Sequence, residues 1–204
     1  MGTHTRIYLF YRHHATMVKK FVGGCVLLAV IAFACMATGI YPVAIVNGSP
    51  ILARTWKQAE AAAIQFMQAT MVSSGKAPID FGQPENARIL LQARKDALLA
   101  LIENKLVAKE GDAVMADFDM RAQERVESAV RESVNLKEGA ELLYGLDFNK
   151  FRDLVLLPQA RRDLLRETFE KKKQDFFSWF SALKTNARVR LLFTPFSWDG
   201  ERVK

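Results

Sequence analysis

Between Phe21 and Tyr41 the chain reads "FVGGCVLLAVIAFACMATGIY", a run without a single charge. A helix rises about 1.5 Å per residue, so about 20 such residues cross the hydrocarbon core of a bilayer. Whatever else the chain folds into must therefore be built from the residues on either side. Arg6, Arg12, Lys19 and Lys20 precede the run with no acid among them, and the first charge after it is Arg54. The positive-inside bias then keeps residues 1–20 in the cytoplasm and places everything beyond 41 outside it, as a single-pass anchor at 21–41. Two other fates suit the same residues. Ala32-Phe33-Ala34 has the small-x-small form of a signal-peptidase site, and Cys35 stands where a lipid-attachment cysteine could. A buried helix of a soluble protein is the remaining alternative.

Charge and cysteine content narrow the chemistry of the outer part. The formal net charge is +7, of which the four N-terminal bases supply +4. The rest is close to balanced, with acids and bases interleaved, which is a solvated surface and not a phosphate footprint. From Asn47 to Lys204 there is neither Cys nor His. That excludes Ser-His and Cys-His nucleophilic sites, thiol redox motifs, an ordinary structural zinc site and internal disulfides. No pair of carboxylates has a spacing that forces acid–base chemistry. Asp117 and Asp119, flanking Phe118, read as capping and solvation.

The outer part opens with "VAIVNGSPIL" at 43–52. Alternating apolar residues around Asn-Gly are a hairpin signal, yet an isolated hairpin is marginal in water. The other convincing strand is "ARVRLLF" at 187–193. Residues 43–46 are therefore expected to pair with it, giving a mainly α domain whose small antiparallel sheet is made by strands from its two ends. The loop-closure cost of such a pairing grows only slowly with length.

Between these strands the periodicity predicts helices. One covers 54–72, with Trp56, Ala59, Ala63, Phe66, Met67 and Thr70 on a stripe. A second runs from Pro84 to Glu110 and stops at Gly111, burying Leu98, Leu101, Ile102 and Leu106. A third spans 119–133, and a short one covers 136–144. Asp147 should cap a helix carrying Phe148, Phe151, Leu154 and Val155. Pro158 should bend or restart it, and a long amphipathic helix should follow to about 186.

The stretches "VAIVNGSPI", "LLQARKDALLALIENKLVAKEG", "YGLDFNKFRDLVLLPQARRDLL" and "FFSWFSALKTNARVRLL" resemble, in this order, the N-terminal chaperone domain of the SurA/PrsA-type envelope foldases. The resemblance covers 43–193, leaving 194–204 as a tail. It implies a module that holds extended segments of unfolded secreted or envelope proteins. Many members insert a parvulin-type isomerase domain before the final strand. Fewer than 20 residues separate "RRDLLRETF" from "NARVRLL", and the outer part has no histidine, so that domain is expected to be missing.

The reading is thus an extracytoplasmic, membrane-anchored holdase and not an enzyme. A structural or adaptor protein binding one folded partner is the alternative. Expected partners are extended polypeptides and, through 21–41, the bilayer, with no nucleic acid, small-molecule substrate, cofactor or metal. Apolar groups that would touch a client are Trp56, Phe66 and Met67, then Phe148, Phe151 and Leu154, then Phe177 and Trp179. Phe176, Phe177, Trp179 and Phe180 cannot all face one side of a helix, so at least one should be exposed or meet another element. Lys171, Lys172 and Lys173 read either as a solvated face or as a contact for acidic clients or headgroups.

Overall fold

The computed structural model describes Val30 and residues 33–204. Two compact units emerge, residues 1–41 and 42–204. In the first, a helical turn over 33–38 is described, with Thr38 Oγ1 donating to the Ala34 carbonyl at 2.7 Å. Among the described residues no helix is long and apolar enough to cross a membrane. The expected span at 21–41 and the basic segment 1–20 lie mostly outside the described residues.

In the second unit, "VAIVNGSPIL" forms two strands, β1 (Pro42–Val46) and β2 (Ser49–Leu52). Asn47 and Gly48 both take positive φ, 47° and 86°. This is the pair of conformations that closes a two-residue hairpin with the twist of its strands. The C-terminal strand β3 (Val189–Leu191) lies on the other side of β1, giving an antiparallel sheet ordered β2-β1-β3. Its ladder joins Ala44 to Leu191, Ile45 to Arg190 and Val46 to Val189. Asn47 also clamps this junction. Its N–H donates to the Arg188 carbonyl at 2.9 Å, and its Oδ1 accepts the Arg188 N–H at 2.8 Å. The expected pairing of the two ends is present, with a shorter final strand and with β2 as a third member.

The helices are α1 (Ala53–Ser73), α2 (Ala87–Val114) after a 3₁₀ turn at Pro84–Asn86, α3 (Phe118–Glu132) and α4 (Leu136–Tyr144). Then come α5 (Phe148–Phe151), a π-helical turn (Arg152–Leu156), α6 (Leu157–Lys171) and α7 (Phe176–Thr185). The core is centred on α2, where Leu98, Ile102, Leu106 and Val107 are fully enclosed, and Ala44 and Val46 of the sheet are equally buried.

Two boundaries differ from expectation. Gly111 does not stop α2, which continues to Val114. It is a buried notch: a Cβ there would fall 2.0 Å from two ring atoms of Phe118. Its missing side chain makes room for Phe118, so here glycine serves packing and not termination. The expected long helix to 186 is also interrupted. Lys173 takes φ 55°, and Asp175 caps a new helix by accepting the Phe177 N–H at 2.9 Å. The break turns α7 back on α6, so that Phe176 is buried against Phe169 with centroids 5.9 Å apart.

Other expectations hold. Asp147 Oδ1 accepts the Lys150 N–H at 3.0 Å, as a cap should. Pro158 stands in the first turn of α6, directly after the π turn. Proline has no N–H for the carbonyl of Leu154 four residues back, and its ring crowds that carbonyl. The wider π turn accommodates both constraints.

Candidate functional site

The π turn and Pro158 form one wall of an open groove of about 430 Å³. The opposite wall is β2 and the start of α1, through Ile51, Leu52 and Thr55, and the floor is the middle of α2, through Leu101 and Ala108. Leu154 and Pro158 add apolar surface from the π turn and α6, while Asn104, Lys105, Asp153 and Arg161 supply the polar edge. Arg161 is tied across to Asp119 of α3 at 2.9 Å. Behind Asn104, Arg162 donates to its Oδ1 at 2.9 Å and reaches Glu103 at 3.3 Å. The groove is therefore largely apolar within, and of its charged rim Arg161 is held by a neighbouring helix while Asp153 pairs with Arg152 of its own turn, a combination suited to gripping side chains.

Next to β2 one main-chain route is closed. A two-residue hairpin turn places Val46 and Ser49 as a hydrogen-bonded pair, so Pro50, opposite Ile45, is in the non-hydrogen-bonded position. Its backbone faces away from β1, and it has no N–H to offer an added strand. At this position an added strand would find the Pro50 carbonyl but no donor, so the groove offers mainly side chains.

Seven of the eight expected contact residues, all but Met67, fall in three places. Phe66, Phe148, Phe151 and Leu154 converge around a cluster of Ala62, Ala140, Leu146 and Phe151. Phe66 stacks on Tyr144, centroids 4.9 Å apart, and is still 43% exposed; Tyr144 in turn meets Phe151 at 5.0 Å. Phe151 itself is buried and therefore unavailable to a client, while Phe148 is half-buried under Lys137, 5.6 Å from its ring. Leu154 has one side on this cluster and also lines the groove. Met67 is half-buried on α1. Burial raises the Tyr144 hydroxyl pKa above its ordinary value.

Phe177 and Trp179 belong to the second place, around Val107, Phe118, Leu165, Phe169 and Phe176. Trp179 packs against Phe169 at 4.9 Å, whereas Phe177 is 70% exposed beside the Arg166 guanidinium at 6.0 Å. The crowded aromatic run thus leaves one ring outside. Trp56 is in the third place, and it is occupied by the chain's own tail. Its Nε1 donates to the Arg94 carbonyl at 3.1 Å, and Phe196 meets its ring edge-on at 6.0 Å. The tail is a small hairpin closed by Ser197–Lys204 and Asp199–Arg202 hydrogen bonds.

Sequence reasoning missed most of the groove, because its lining comes from three segments far apart in the chain. It also missed Leu142 of α4, which is 72% exposed. The signal was there: Leu142, Leu143 and Tyr144 are consecutive on one helix and cannot share a face. Among the described residues no group of three or more acidic, Cys or His side chains could hold a metal ion. Comparison with family models, with characterised proteins and with solved structures returned no match. The resemblance to SurA/PrsA-type foldases rests on the sequence motifs alone.

Proposed function

We propose that the chain is a membrane-anchored, extracytoplasmic holdase, which binds extended stretches of unfolded secreted or envelope polypeptides without chemistry and without isomerase activity. The observation that carries this reading is the open groove between β2, α2 and the π turn, apolar inside and charged at its rim. The exposed Phe66 and Leu142 extend the apolar surface available to a long client. Surfaces of this kind accept many side chains because burial of apolar area is not directional. Residues 21–41 would hold the domain at the bilayer, with its N-terminal bases on the cytoplasmic side.

The test is suppression of aggregation of two or three unrelated unfolded proteins by the full-length chain in neutral detergent. Near-stoichiometric protection is expected. Ala108→Phe fills the groove from its floor without opening a cavity, and should weaken protection several-fold with the melting temperature little changed. Failure against every client would refute the holdase and leave the adaptor reading.

A further inference from the structure

The two edges of the sheet are not equivalent. In the β1–β3 ladder the Leu192 N–H donates to the Val43 carbonyl at 2.8 Å, and the Asn47 N–H donates to the Arg188 carbonyl at 2.9 Å. Ile45 and Arg190 are the partners between them. Residues 188, 190 and 192 therefore turn their main-chain groups toward β1, and Val189 and Leu191 turn theirs away. Among the described residues no strand lies on that far side. Unlike β2, this edge carries no proline, so two N–H and two C=O groups are presented in strand geometry.

A groove of about 430 Å³ runs along it, lined by Ile45, Gly48 and residues 187–190. Cross-strand partners share a face, so Arg190 stands with Ile45 and Pro50 on the face opposite Ala44, Val46 and Ile51. Arg188, two residues away, is on the same face. Both guanidinium groups are exposed, and neither joins an ion pair among the described residues.

We infer that β3 is a docking edge for an extended polypeptide segment with acidic residues at alternate positions. A strand added antiparallel would hydrogen-bond to Val189 and Leu191. Its residues opposite Arg188 and Arg190 would occupy non-hydrogen-bonded pairs, where side chains come closest. Carboxylates there meet guanidinium groups, and lysines there meet like charge. A second copy of this chain is a poor occupant for the same reason. Antiparallel pairing of β3 with itself, centred on 189 or 190, sets arginine opposite arginine. Charged edges commonly discourage strand addition; with one sign only, the discouragement is selective. This edge is separate from the β2 groove and does not depend on the holdase reading.

The experiment uses the full-length chain in neutral detergent and a labelled peptide alternating Glu with Val and Thr, against the same peptide with Lys for Glu. Fluorescence anisotropy should show the Glu peptide binding at least tenfold tighter, with the difference shrinking as salt is raised. Amide exchange at Val189 and Leu191 should slow when it binds. Arg188→Glu with Arg190→Glu should reverse the preference, and Arg188→Ala with Arg190→Ala should abolish it, both with unchanged circular dichroism. Equal binding of the two peptides would overturn the proposal. So would binding that leaves the two amides unprotected, or that Ala108→Phe removes. An anionic phospholipid in the micelle that engages the arginines while the Glu peptide does not bind would also overturn it.

Discussion

Gly111→Ala should destabilise this protein, although the same change in an ordinary helix interior stabilises by about 1 kcal/mol. Gly111 lies inside α2, and the added Cβ would sit 2.0 Å from Cδ1 and Cε1 of Phe118 and 2.7 Å from its Cγ. Carbon atoms pack best at about 3.5–4.0 Å, so the ring would have to retreat by roughly 1.5 Å. It has nowhere to go, because Phe118 is fully buried among Val107, Leu165, Phe169 and Phe176. Overpacking of this kind costs about 1–3 kcal/mol, and the rigidity of an aromatic cluster argues for the upper end. Set against the propensity gain, the net loss is about 2 kcal/mol. At a urea m-value of about 2 kcal/mol per molar, the unfolding midpoint should fall by about 1 M. The assay is urea denaturation followed by circular dichroism, with Phe118→Leu completing a double-mutant cycle. The double variant should cost less than the sum of the singles by about 1 kcal/mol or more. A stabilised Gly111→Ala, or an additive cycle, would refute the notch.

Two further outcomes follow from single side chains. Asn47→Ala loses a hydrogen bond to the Arg188 N–H and puts alanine, which tolerates the left-handed region less well than asparagine, at φ 47°, so it should cost about 1–2 kcal/mol, whereas Asn47→Gly is at ease at that φ and should cost less, as thermal denaturation would show. The Asp175 carboxyl is held below its ordinary pKa by hydrogen bonds from the Ser178 hydroxyl and the Phe177 N–H. A depressed folded pKa gives stability that is present above about pH 4 and is lost as pH falls through the folded value. Asp175→Asn should therefore flatten the loss of stability below about pH 4 in acid titration of unfolding.

What the sequence disclosed depended on whether the signal was local. The Asn47-Gly48 turn, the Asp147 cap, the periodicity of α2 and the position of Pro158 are each set by a few adjacent residues, and each is found as read. The pairing of the two chain ends was legible because so few strand-forming runs were available. Gly111 was misread because a glycine at the end of an amphipathic run usually marks a stop, and its packing partner Phe118 lies beyond the next turn. The break at Lys173 was missed for a related reason: Lys171, Lys172 and Lys173 are good helix formers, and they carry the amphipathic pattern across the junction. Of the candidate site, Leu154 was legible as an apolar position but not as a groove wall. The groove depends on how the β2, α1, α2 and π-turn segments pack, which no single window contains.

That packing is fixed by polar joints as well as by the apolar core, and Glu103 is the joint behind the groove floor. It lies on α2 next to Asn104, with only 13% of its side chain exposed. It accepts from Arg162 of α6 at 3.3 Å and from Lys184 of α7 at 3.4 Å. Two cations on different helices thus share one carboxylate, and the Lys184 ammonium also stands 5.2 Å over the Phe180 ring. An exposed pair would contribute little, but these groups are largely removed from water, so losing the shared acceptor would leave positive charge poorly compensated. Arg162 donates to Asn104 as well, which ties a groove-lining side chain to the same joint. The wall made by Pro158 and the floor made by α2 are therefore held in register by an interaction outside the groove. An apolar groove can stay open when its walls are anchored from behind; without that anchorage, hydrophobic burial would favour closing it.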